Sequence, residues 1–397
     1  LVLSGVVAYR GVPSGARGAR ARAVDGVVLA VAAAVPIAGP ALLFGAGGWM
    51  NLGVLDAIRA VAAALAVALL VPRRVVRVGA VLSALGVVAA FAVHTPVGLN
   101  ATRLPTMFAL PVLVAYGRVP DRAARVAGGR TGLALAAVVI LLAAVQPPVS
   151  VPDLRAAGDP SASRAYFQPL LDELGRRPPG RVEVVPTANY WEAAYVPEAA
   201  PLARGWLRQA DQAYNRIFLD GSLDAESYAA WLRDNGVSYV ALAGVQPSWV
   251  GRREAQLIRT GLPYLTQVWR GGDWTLYTVA EPASVVEGAR LVRLTAGELT
   301  FDVPVAGETR VRVRWSRWLT VEGPLGPVGP IGVAGSRAVV HPGCLDRHGA
   351  WTVLRVRQPG RYTISSSLTA SGPRCPDRDH NLAGGHGIQH GQPTPRP

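Results

Sequence analysis

Three stretches of the chain bring side chains capable of chemistry close together. In HTPVGLNATRLP, residues 94–105, Asn100 and Arg103 stand between two strongly apolar runs. A guanidinium is a planar fork of donors that matches phosphate oxygens, so Arg103 with Asn100 beside it can hold a lipid phosphate. Snorkelling of the same arginine to ordinary headgroups is the competing reading. GGWMNLGVLDAIRA sets Asp56 three residues before Arg59, which puts both on one helical face within pairing reach. Ionisable groups inside an apolar segment are costly unless paired or hydrated, so this pair is either functional or an interfacial salt bridge beside a Trp49 anchor. VPTANYWEAAYVPE places Asn189, Tyr190, Trp191 and Glu192 directly after a short strand, RVEVV. Loops at strand carboxyl ends are usual ligand positions in α/β units, and aromatic rings beside a carboxylate suit a sugar. The alternative is that those rings pack onto the sheet or a membrane.

Further downstream, TRVRVRWSRW alternates Arg310, Arg312 and Arg314 with Val311, Val313 and Trp315, giving a strand with one arginine face. That face is either solvated or turned to an anionic polymer or headgroups. Cys344 and Cys375 are the two cysteines of the chain. If their region is exported they can form one disulfide, and two thiols do not make a zinc site of their own. His380, His386 and His390 are loosely spaced, and no metal motif emerges from them. No cofactor is evident, although a divalent metal stays open. The chain holds no P-loop, no GxGxxG after a strand, no GxSxG and no HExxH.

The elements that must position these residues follow from composition and patterning. Half of the 397 residues are hydrophobic, 17% are charged, and mean hydropathy is +0.26, values unusual for a soluble globular protein. The net charge is +14, carried by arginine without any lysine. The arginines cluster between apolar segments, which fits membrane topology and not nucleic acid. Apolar runs fall at about 1–9, 26–47, 54–72, 78–93, 104–117 and 131–147, giving about five spans and a shorter first one. Arginines of the loops at 10–22, 73–77 and 118–130 alternate with arginine-poor loops at 48–51 and 94–103. The positive-inside rule makes the rich loops cytoplasmic and everything after QPPVSVP extracytoplasmic. Prolines 105 and 111 predict that the segment after Arg103 is short, broken or re-entrant.

The predicted fold class is thus an α-helical transmembrane bundle over 1–149, then an extracytoplasmic α/β unit over 150–287 and a β-sandwich over 288–370. Residues 371–397, rich in Gly, Pro, Asp and His, read as a disordered tail. Within the α/β unit, SRAYFQPLLDEL, PLARGWLRQADQAYNRIF, GSLDAESYAAWLRDNG and GRREAQLIRTG read as helices. RVEVV and VSYVALAG read as strands, and LTQVWRGGDWTLYTV as a hairpin turning at Gly271–Asp273.

With AYFQPLLDEL, VPTANYWEAAYV, LARGWLRQADQAYNRIFLDG, YAAWLRDNGVSYVAL, VWRGGDWTLYTV and the segment GLNATRLPTMFALPVLVA, the chain resembles multi-pass membrane glycosyltransferase-like proteins of the GT-C type. More narrowly it resembles the integral membrane protein group of high-GC bacteria, over about Val97 to Leu368. The resemblance implies a plasma-membrane protein using a polyprenyl-phosphate-linked sugar and a cell-envelope glycan acceptor, by inverting transfer on the outer face. In such enzymes the catalytic base lies in a large first extracytoplasmic loop. The chain starts at Leu1 without such a loop and reads as the C-terminal part of a longer protein, so the resemblance assigns it no catalytic residue. Arg103 and Asn100, with Asp56 and Arg59, would line the lipid-phosphate entrance; Asn189, Tyr190, Trp191 and Glu192 would meet the acceptor. Two other functions compete: a transporter or flippase, which calls for repeated span patterns, and a non-catalytic envelope protein with a glycan-binding exported domain. The partners in the leading reading are the bilayer, the lipid-linked sugar and the glycan; nucleic acid is not among them.

Overall fold

The computed structural model describes residues 16–45, 48–126, 128–146, 154, 157–206, 208–324, 343–368 and 374–375. The chain divides into two compact units, Leu1–Asp159 with Trp206–Gly221, and Pro160–Gly205 with Ser222–Pro397.

The first unit is helical: α1 (Ala16–Phe44), α2 (Val54–Leu70), α3 (Arg74–Ala92), α4 (Arg103–Tyr116), α5 (Asp121–Val126) and α6 (Thr131–Val145). Small residues recur on the packed face of α2, where Ala57, Ala60, Ala64 and Val67 are buried; Ala80, Ala84 and Val87 are their counterparts on α3. Spacing of three and four residues makes one continuous stripe, and alanines let the two backbones approach closely. Large apolar side chains turn the other way: Leu55, Ile58, Leu69, Met107 and Phe108 are all exposed.

The expected transmembrane bundle is not what the structure shows. Among the described residues one helix, Arg74–Ala92, is long and apolar enough to cross a membrane. Apolar run length overstated helix length. The run at 104–117 yields a helix of 14 residues and that at 131–147 one of 15. At about 1.5 Å per residue both fall well short of the roughly 30 Å of a hydrocarbon core. The segment after Arg103 is also not broken. A 3-10 turn, Gly98–Thr102, leads into α4, which runs on through Pro111. Pro105 sits in the first turn of that helix, where no intrahelical acceptor awaits its missing N–H.

The second unit begins with α7 (Arg164–Arg176), capped by Ser163, whose hydroxyl accepts from Ala165 N–H. Phe167, Leu170, Leu171 and Leu174 are buried along one face of it. They cover a sheet of order β1-β2-β4-β3, formed by β1 (Arg181–Val184), β2 (Val237–Ala243), β3 (Leu265–Gly271) and β4 (Trp274–Val279). β1 and β2 run parallel; the other pairs are antiparallel. A short helix α8 (Glu192–Tyr195) follows β1. Among the described residues of PLARGWLRQADQAYNRIF the helix is seven residues long, α9 (Arg208–Tyr214), followed by a 3-10 turn; Trp206–Gly221 group with the helical unit, and Pro201–Gly205 stay with the second. α10 (Ala225–Asp234) precedes β2: Asp224 accepts from Ser227 N–H while the Ser227 hydroxyl accepts from Asp224 N–H. α11 (Arg252–Thr260) precedes β3.

Two antiparallel sheets complete the unit. β5 (Arg290–Leu294), β6 (Glu298–Val303), β11 (Gly360–Ser366) and β8 (Leu319–Glu322) form one, in that order. β7 (Gly307–Arg314), β10 (Trp351–Val356) and β9 (Gly343–His348) form the other. Val286, Phe301, Val311, Leu345, Leu354 and Tyr362 fill the space between them. Two arginines of the β7 face are tied into the protein, while Arg310 stays partly exposed beside Glu287. Arg312 pairs with Glu287 at 2.9 Å and donates to the Ser284 carbonyl, and Arg314 lies 3.7 Å above the Trp351 ring. Arg181, at the start of β1, donates to the carbonyls of Asn235 and Arg312, so this row joins the α/β layer to the sandwich. Burial, reinforced by Arg314 and Arg312, lowers the Arg181 guanidinium pKa to about 10.

Candidate ligand site at the carboxyl end of the parallel strands

The carboxyl ends of β1 and β2 point the same way, and the loops that leave them are stitched together. Val185 N–H donates to Ala241 carbonyl at 3.1 Å, Ser248 N–H to Pro186 carbonyl at 2.8 Å, and Thr187 bridges to Pro247. A Cβ on Gly251 would come 3.1 Å from Pro186 and Val185, so a side chain there would crowd the first loop and require it to shift by a few tenths of an ångström.

Four side chains singled out in the sequence fall here. The Thr187 N–H and hydroxyl donate to one oxygen of Glu192, at 3.3 and 2.6 Å. Glu192 is 5% exposed, and burial lifts its carboxyl pKa to about 7 against the opposing pull of the Thr187 bonds. Tyr190 is held at φ 58°, a left-handed conformation that costs a non-glycine residue about 1–2 kcal/mol and recurs at ligand sites. Trp191 is 42% exposed and stacks on Tyr195, with ring centroids 5.5 Å apart and planes 17° from parallel. Asn189 is half-buried and makes no side-chain hydrogen bond among the described residues. The second loop adds two groups that sequence reading missed. Trp249 is 55% exposed, and the buried Ser248 hydroxyl has no partner among the described residues. The sequence signal for them was only that QPSW follows a buried strand, which becomes informative once β2 is known to lie parallel to β1.

The carboxyl of Glu192 makes a testable demand. Its folded pKa, about 7, lies above the ordinary value of 4.5, so between those limits the folded state binds the proton more tightly than the unfolded chain. Stability from this group is therefore fully present below about pH 4.5 and is lost as pH rises through 7, by roughly 3 kcal/mol. Glu192→Gln, which keeps the shape and stays neutral, is expected to flatten that part of the profile and raise the melting temperature at pH 8 relative to wild type. Thermal melts from pH 4 to 9 check this.

In the helical unit the two segments singled out in the sequence do meet. Trp49 and His94 rings contact edge to face at 4.8 Å, and Met50 N–H donates to Thr95 carbonyl at 3.1 Å. Gly98, at φ 36°, lies so close to the Met50 carbonyl that a Cβ would be 2.0 Å from its oxygen. Asp56 is exposed and Arg59 half-buried, yet no ion pair joins them among the described residues, and the buried Arg59 Nε has no acceptor there. Asn100 is half-buried in the 3-10 turn, and Arg103 is exposed at the start of α4.

A second polar cluster was not anticipated. Arg204 Nε contacts Glu183 at 2.6 Å, its Nη2 pairs with Glu254, and the Tyr228 hydroxyl donates to Glu254 at 2.8 Å. All of these side chains lie in the interior. Burial pushes the Glu254 carboxyl up, with Arg204 pulling it back.

Cys344 and Cys375 are joined in a disulfide with Cα atoms 4.9 Å apart. The residue beside it is tied down as well: Arg374 bridges to Leu345, and its guanidinium lies 4.3 Å from the Trp315 ring. These two residues thus belong to the sandwich, while the rest of the expected disordered tail lies outside the described residues, as do His380, His386 and His390. Among the described residues no group of His, Cys, Asp and Glu is arranged to hold a metal ion.

Residues 286–380 match a family model described as Domain of unknown function (DUF8823), covering the sandwich. No curated protein matches the chain, and no solved structure does. The labels drawn from the resemblance are corrected accordingly. A multi-pass membrane protein of GT-C glycosyltransferase type rested on several spans, and one candidate membrane helix with a match of unknown function does not sustain it.

Proposed function

We propose that this protein is a non-catalytic glycan-binding component of the cell envelope, with the ligand lying across the β1 and β2 loops. The observation that carries the reading is that two exposed tryptophans, Trp191 and Trp249, stand on two loops joined by backbone hydrogen bonds, the first of which also holds the buried Glu192 carboxyl. Indole faces cover the apolar faces of a pyranose, and Trp191 is already held flat by Tyr195. A carboxyl that titrates near neutrality serves a sugar hydroxyl as donor or acceptor, and Asn189 adds an amide with both. Binding is favoured over hydrolysis, because glycoside cleavage takes two carboxyl groups flanking the bond. The next carboxylate along the chain, Glu198, is held by Arg164 at 2.5 Å.

The setting supports an extracytoplasmic position at the membrane. Disulfides persist in oxidising compartments, and Cys344–Cys375 is one. The outward Leu55, Ile58, Leu69, Met107 and Phe108 of the helical unit are suited to lipid. The test is a glycan array probed with the full chain in detergent. Retention of uncharged envelope-type glycans is expected, and Trp191→Ala is expected to weaken it about tenfold. An array on which no glycan is retained overturns the proposal.

A further inference from the structure

We infer that the opposite face of the same sheet carries a separate site for an oxyanion-bearing ligand of phosphorylated-sugar size. Alternation along β4 sends Trp274 and Leu276 into the core under α7, so Thr275 and Tyr277 face the other way. Arg270 on β3 is the register partner of Thr275, and Arg259 stands in the last turn of α11. These side chains line one cavity of about 610 Å³, together with Leu242 and Asp273. That volume lies within the range of small-molecule sites, about 300–1,000 Å³.

What distinguishes the cavity is the state of its donors. Elsewhere in this unit arginines are largely committed: Arg177 to Glu173, Arg204 to Glu183 and Glu254, Arg361 to Asp302, and Arg355 to Glu308 and Asp346. Arg259 and Arg270 have no ion pair among the described residues, and neither Thr275 nor Tyr277 makes a side-chain hydrogen bond there. Two guanidinium forks and two hydroxyls thus line one space with no partner of their own. A tetrahedral oxyanion, which accepts only, satisfies all of them. The single carboxylate of the cavity, Asp273, is engaged on one oxygen by the Tyr166 hydroxyl at 2.7 Å. Its other oxygen would accept a sugar hydroxyl, which points to a phosphorylated sugar over bare phosphate. The carboxylate takes this position because residue 244 is glycine: a Cβ there would stand 2.0 Å from it.

This site does not depend on the proposed glycan site. The experiment uses the full chain in detergent, titrated by calorimetry with inorganic phosphate, with glucose 1-phosphate and with glucose; vesicles of phosphatidylglycerol are tested separately by flotation. Glucose 1-phosphate is expected to bind more tightly than phosphate, and glucose not at all at this site. Arg259→Gln with Arg270→Gln is expected to weaken phosphate-ester binding about tenfold or more, with melting temperature unchanged. Trp191→Ala is expected to leave that binding intact. Capture by vesicles that disappears in the double arginine variant would keep the oxyanion site and identify a lipid headgroup as its source. Failure of every phosphate probe to bind, or equal binding by wild type and the double arginine variant, overturns the inference.

Discussion

Replacing Arg204 by methionine is expected to lower the stability of the protein by about 3–5 kcal/mol, the size of effect seen when one partner of a buried ion cluster is removed. Arg204 lies between two fully buried carboxyl groups, Glu183 and Glu254. Methionine fills its volume and removes the cation that both carboxyl groups face. The neutral replacement Glu254→Gln is expected to cost much less, about 1 kcal/mol. Burial pushes the Glu254 carboxyl pKa up, so a neutral side chain costs less here than loss of the cation, and the Tyr228 hydroxyl keeps an acceptor. Urea unfolding of the two variants beside wild type measures the contrast. Equal losses for both would show that the cluster is held by packing and not by charge.

Breaking the disulfide is expected to be the second large effect. Cys344 and Cys375 close a loop with a sequence separation of 31 residues, for which loss of the chain constraint corresponds to about 3–4 kcal/mol. The double replacement Cys344→Ser, Cys375→Ser leaves no reactive thiol and also releases the Arg374–Trp315 contact at the edge of the sandwich. Wild type is expected to melt several degrees lower in dithiothreitol, whereas the double variant is indifferent to it. Identical melting of wild type with and without reductant would contradict this assignment.

Local patterns in the sequence carried much of the second unit. The sequence offers Ser222 or Asp224 as the cap of α10, and the structure uses Asp224; the stop at Gly236, the turn at Gly271–Asp273 and the apolar face of α7 depend on neighbouring residues and lie where those neighbours indicate. Quantities set by distant partners were not legible. An apolar run at 131–147 reads as a span, but the helix that forms is Thr131–Val145, because hydrophobicity does not say where hydrogen bonding ends. The alternation of Arg310, Arg312 and Arg314 showed a shared face without showing that Glu287, Asn235 and Trp351 occupy it. Glu183, a charge inside the short strand RVEVV, was the one sign of the buried cluster, and its partners lie 21 and more residues away.

The candidate site was legible by half. Asn189, Tyr190, Trp191 and Glu192 were marked by following a strand, whereas Ser248 and Trp249 gained meaning only through the parallel pairing of β1 with β2. From sequence Glu192 reads as a carboxylate beside aromatic rings in a loop after a strand; that it is buried, and lifted by that burial to about 7, shows only in the structure.

The most direct test is equilibrium binding of uncharged envelope glycan fragments to the full chain, followed by tryptophan fluorescence, for wild type and for the variant with both Trp191→Ala and Trp249→Ala. The site described here predicts saturable binding by wild type, a loss of about tenfold or more in the double variant, and an unchanged melting temperature. Binding of equal strength by both proteins would contradict it.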